Sequence, residues 1–174
     1  MRNLCHLPTP AWCRAAALGA ALLLSACAGY APPSDLRPGA AEAAVVAVMG
    51  PPTLRLPLPD GSGHRLVFAR GPMGKHTYMV DVDRESRVRR WNQALGEAQF
   101  ARIPVGMNRD ELLLTLGPPA QRQRMGITPT ELWSYRYENN DCKWYQVELD
   151  LQGIVVGGIY SDDPVCPKPA PSWE

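Results

Sequence analysis

The sequence predicts an α+β chain of two tandem units, each with one or two helices packed on a three-stranded antiparallel sheet. Three observations carry this. A hydrophobic run ends in the same punctuation twice, "MGPPT" at Met49 to Thr53 and "LGPPA" at Leu116 to Ala120, with Gly50 and Gly117 67 residues apart. Sliding the chain on itself by that interval lays Gly39 to Val88 on Gly106 to Val155 without a gap, and nine of the 50 positions are identical, where ordinary composition gives about three. Apolar residues also alternate with a period of two at matching places in both copies, the pattern of strands with one buried face.

The first unit spans 39–92. After Gly39 the run "AAEAAVVAVM" reads as a helix, and Gly50 stops it because glycine tolerates the positive φ that a side chain penalises. Pro51 and Pro52 prevent its resumption. Leu66 and Phe68, then Tyr78, Val80 and Val82, alternate as two strands, with Thr77, Met79 and Asp81 pointing away from the helix. A turn at "DRES" leads to a third strand over Arg87 to Trp91.

The second unit spans 93–166. "NQALGEAQFARI" supplies an extra short helix with Leu95, Phe100 and Ile103 apolar. "MNRDELLLTL" follows as the repeated helix, with Asn108 as N-cap and Glu111 three residues later completing a capping box. Trp133 and Tyr135, then Tyr145, Val147 and Leu149, alternate as strands, and a third runs over Ile154 to Tyr160. Trp144, Gln146 and Glu148 take the opposite parity.

Residues 1–26 read as a signal peptide, with Arg2 and Arg14 ahead of an apolar run too short to span a bilayer comfortably. The run closes in "LLSAC", which resembles a bacterial lipobox and makes Cys27 the expected acylated N-terminus. Residues 27–38 then form a Pro- and Ala-rich tether, and 167–174 a Pro-rich tail. Resemblance to enterobacterial lipoproteins, in which aspartate after the cysteine marks inner-membrane retention, implies outer-membrane delivery here, since Ala28 follows. Loss of the leader leaves 16 basic against 17 acidic residues. That balance offers no electrostatic footprint for nucleic acid or anionic lipid, so the membrane partner is lipid reached through Cys27.

Cys5 and Cys13 leave with the leader, so Cys142 and Cys166 remain as a pair. In an oxidising compartment such a pair reads as a disulfide, closing a loop worth about 3 kcal/mol. The competing reading, free thiols or half a metal site, is weakened because His64 and His76 lie in the other half of the chain.

The stretch "IPVGMNRDELLLTLGPPAQRQR" followed by "LWSYRY" resembles the SmpA/OmlA (BamE-like) family of outer-membrane lipoproteins, through Gly106, Met107, Glu111, Leu116, Gly117, Pro119, Trp133 and Tyr135. About sixty residues of the second unit carry the match, and Cys27 suits the family's lipid anchor. A typical member has one such unit, and two in tandem are similar in fold to the β-lactamase inhibitor protein. The resemblance implies a noncatalytic, periplasm-facing lipoprotein that binds an envelope protein such as the β-barrel assembly machinery. The alternative is an inhibitor-type binder that grips a periplasmic or secreted enzyme with a concave sheet face.

No nucleophile elbow, HExxH helix, P-loop or dinucleotide glycine pattern is present, and no cofactor is expected. A His/Asp site from His64, His76, Asp81 and Asp83 is the least favoured reading; solvated turn and surface carboxylates are the simpler one. Trp133, Tyr135, Tyr78 and Tyr145 are expected in the core. Trp144, with Met79, Arg136 and Gln146, is the expected partner-binding set on an open sheet face, unless the tether or tail covers it.

Overall fold

The computed structural model describes residues 36–126 and 129–166. The leader, Cys27, nearly all of the tether and the tail lie outside these described residues. In chain order the elements are α1 (Glu42–Met49), β1 (Leu54–Pro57), β2 (Gly63–Ala69), β3 (Thr77–Asp83), β4 (Val88–Gln93), α2 (Glu97–Phe100), α3 (Arg109–Leu116), β5 (Gln121–Arg124), β6 (Glu131–Arg136), β7 (Lys143–Leu149) and β8 (Val155–Asp162). They form two antiparallel sheets ordered β1-β2-β3-β4 and β5-β6-β7-β8. The architecture is therefore α+β in two units, with four strands per sheet rather than three. The added strands, β1 and β5, lie between each Gly-Pro-Pro and the first alternating strand.

The 67-residue offset recurs in the backbone. α1 and α3 match end to end, as do β1 and β5. Gly50 and Gly117 take φ of 78° and 77° and return their N–H groups to the Val46 and Leu113 carbonyls. Each sheet has a bulge at the same place, between Asp81 and Val82 and between Glu148 and Leu149. The turns agree too: the Asp83 carboxylate accepts from the Glu85 and Arg87 N–H groups, and that of Asp150 from Gln152 and Ile154. Identical residues such as Gly39/Gly106 and Asp83/Asp150 thus mark backbone devices. The helix starts differ. Asn108 and Glu111 form the predicted capping box, while Ala41 gives α1 no side-chain cap.

Two cores follow from the alternation. Val45 and Met49 of α1 pack on Leu66, Phe68, Tyr78, Val80 and Val82. Leu112 and Leu116 of α3, with Phe100, pack on Trp133, Tyr135, Tyr145, Val147 and Leu149. The four aromatic residues expected in the core are all buried. Nearly all of β3 is buried on both faces, because the C-terminal end of α3 lies against the outer face of the first sheet. A Cβ at Gly117 would come within 2.9 Å of Thr77 and 3.0 Å of Val67.

The bridge from the helix start to the sheet is reversed between the units. In the first unit Glu42, at the start of α1, meets Arg55 and His64. At the same three places the second unit has Arg109, Arg122 and Glu131. Arg109 pairs with Glu131 at 3.3 Å, and Arg122 lies over the Trp133 ring.

Candidate functional site

The four residues expected on an open sheet face are buried instead, between 1% and 9% exposed. Met79 lies under the end of α3, beside Gly117. Arg136 donates from Nε and Nη2 to the Asp163 carboxylate at 2.5 and 3.0 Å, and from Nη1 to the Pro72 carbonyl at 2.6 Å. Its guanidinium lies 5.3 Å from the Trp144 ring centroid. Trp144 Nε1 donates to Ser161, Ser161 to Gln146, and Gln146 to Ser134. These groups satisfy one another, so they are structural polar links and present no free anchor.

The His/Asp grouping is not assembled. His64 faces α1 and pairs with Glu42, whereas Asp81 lies on the opposite face of the sheet. Asp81 is also no surface carboxylate, for it is buried and held by Arg65 at 2.5 and 2.8 Å and by Arg90 at 2.8 Å. Burial pushes its pKa up, but the hydrogen bonds and charges of both arginines outweigh this and hold it below the ordinary carboxylate range. Burial likewise raises the Glu42 pKa, and Arg55 and His64 reverse the shift. His76 stacks on Tyr78 with ring centroids 5.8 Å apart. The Cys142–Cys166 disulfide is formed.

Sequence reasoning missed Arg65 and its reach between the units. Arg65 also donates from Nη1 to the Leu114 carbonyl in the last turn of α3, a helix whose own last turn carries no basic residue. A cation there complements the partial negative charge of the helix end. Arg136 reaches the other way, to the first unit's Pro72. Each unit therefore lends the other one arginine, anchored by a carboxylate of its own unit.

What remains unpartnered is an edge. β4 and β8 end their sheets at equivalent places. On β4 the outer edge is fenced by Arg89, Arg90 and Asn92, all exposed, and Gln93 folds back on Leu95. On β8 the corresponding stretch is Val156, Gly157, Gly158, Ile159 and Tyr160, with Ile159 61% and Tyr160 44% exposed. The Asp163 N–H bonds the Cys142 carbonyl, and the alternation of an antiparallel ladder then turns the N–H and C=O of Gly158 and Tyr160 away from β7. Among the described residues that side of β8 is paired at Val155, with Gly106 and Met107, and no strand pairs with it beyond there. Natural sheets shield such edges with charge, as β4 does; a bare, apolar one is a template for another strand. Its glycines were visible in the sequence, but its place at the edge was not.

No family model and no curated protein matches the chain. Among solved structures, an extracellular protein containing a SCP domain from Bacillus anthracis shows 12% identity and a TM-score of 0.28, over 72% of this chain and 44% of its own. The chain thus spans less than half the length of that protein, and a likeness this low carries no argument about fold or function.

Proposed function

We propose that the chain is a noncatalytic outer-membrane lipoprotein, anchored through acylated Cys27 and facing the periplasm, that binds an envelope protein during outer-membrane protein assembly. The BamE-like motifs of the second unit and the lipobox support the family side of this reading. The observation that carries the binding side is the bare β8 edge. It offers backbone donors and acceptors at strand spacing beside Val156, Ile159 and Tyr160, and so suits an extended segment that joins the second sheet as a fifth strand. In this reading the partner surface is the edge of the second sheet, in place of the sheet face first expected.

The test is photocrosslinking in intact cells from a photoreactive residue at position 159, in chains with Cys27 or Cys27→Ala. The expected result is an adduct with a β-barrel assembly component that requires Cys27 and is lost when Val156→Arg and Gly157→Arg copy the fence of β4. An adduct only with a second copy of this chain, or one that survives the fence, overturns the proposal.

A further inference from the structure

A cleft of about 600 Å³ opens beside the Arg65–Asp81 pair, between the β1–β2 turn and the last turn of α3. Its cationic wall is Arg89 and Arg90. Neighbouring residues in a regular strand point to opposite faces, yet both line this cleft. The bulge explains this. Asp81 pairs with Arg90 and Val82 with Val88, which leaves Arg89 as the extra residue and re-aims it. Arg89 then donates to the Ser62 hydroxyl at 2.7 Å. Arg90 is fixed at Nε by the buried Asp81 carboxylate, while its side chain is 73% exposed.

The second unit serves as an internal control. It keeps the same bulge with Val156 and Gly157 at the places of Arg89 and Arg90, and has Leu132 at the place of Arg65. The backbone therefore does not require these arginines. The charge of the units differs in the same sense: residues 39–92 carry 8 basic and 5 acidic side chains, and 93–166 carry 6 and 10.

We infer that this cleft is a carboxylate-binding site for an acidic peptide segment, with the Arg90 fork as the bidentate donor and Arg89 as the second cation. A guanidinium already fixed at Nε loses little freedom on gaining a carboxylate, and the planar fork matches that anion. Asp60 and the apolar Leu58 and Leu114 also line the cleft. Asp60 repels a phosphate dianion more than a single carboxylate, and the two leucines suit an anion carried on a chain. The site is separate from the β8 edge, so the fence variant at positions 156 and 157 should leave it unchanged.

The experiment is fluorescence anisotropy of a labelled hexaglutamate peptide with the full-length chain in non-ionic detergent. Binding should weaken as salt rises and fall at least tenfold in the Arg89→Gln, Arg90→Gln double variant. The melting temperature should stay within about 4 °C. Arg89→Val, which installs the second unit's own residue and leaves Asp81 paired, should fall about threefold and keeps the test valid if the double variant unfolds. Equal binding by these variants, full rescue by Arg89→Lys with Arg90→Lys, or tighter binding of inorganic phosphate or phosphatidylglycerol vesicles than of the peptide would each overturn the inference.

Discussion

The first sheet is closed on both faces and guarded at its last strand, whereas the second ends on a strand whose outer edge, among the described residues, is paired only at Val155. Both rest on one backbone, with the same helix stop, bulge and Asp turn at the same offset. The contrast separates two kinds of sequence information. Glycines, prolines and the turn aspartates set the chain path and stay alike in the two copies. Charged and edge residues leave the path alone and have diverged, so function is to be sought where equivalent positions differ.

The sharpest way to break this comparison is at the ion pair that closes the second unit's side of the junction. Asp163→Ala strands the Arg136 guanidinium in a buried site and should cost about 3–5 kcal/mol in denaturant unfolding. A loss below about 1 kcal/mol would mean that Arg136 is solvated and the junction open. Next come the paired glycines. Gly50→Ala and Gly117→Ala meet the same backbone penalty, but only the second also collides with Thr77 and Val67. It should be the more costly by about 1–3 kcal/mol, and equal losses would contradict the packing of α3 on the first sheet.

The helix starts offer a smaller contrast. Asn108→Ala should destabilise by about 1 kcal/mol, while Ala41→Ser should stabilise by about 0.5 kcal/mol by supplying the cap that α1 lacks. Thermal midpoints that move in one direction for both would refute it. The smallest effect is in acid. The folded pKa values of Asp81 and Glu42 are lowered, so the stability they contribute is complete above the unfolded values near pH 4 and is lost as pH falls through the folded ones. Urea midpoints followed from pH 6 to pH 2.5 should therefore drop below about pH 4, and less steeply in Asp81→Asn.

Local signals were legible in the sequence: the helix stops, the capping box, the alternating strands and the pairing of the two cysteines. β1 and β5 were not, because Leu54–Pro57 alternates over only four residues and ends in proline, and "QRQR" is polar throughout and exposed. The burial of Met79 and Asp81 escaped notice for a different reason. Parity says which side chains leave one core, but only the packing of one unit on the other says what they meet next. The Arg89 bulge and the open β8 edge depend on register and strand order, which no single segment encodes.

The reversed bridge at the helix starts has a consequence for misassembly. A chain that carries one small fold twice can dock the helix of one copy on the sheet of the other, since the backbones are interchangeable. Placing α3 on the first sheet would set Arg109 against Arg55 and His64 without the carboxylate that Glu131 supplies in its own unit. Placing α1 on the second would bring Glu42 beside Glu131, with Arg122 engaged over Trp133. Like charges in contact raise the energy of both exchanged forms while the native pairings attract. The opposite signs of Glu42 and Arg109 thus label each helix for its own sheet.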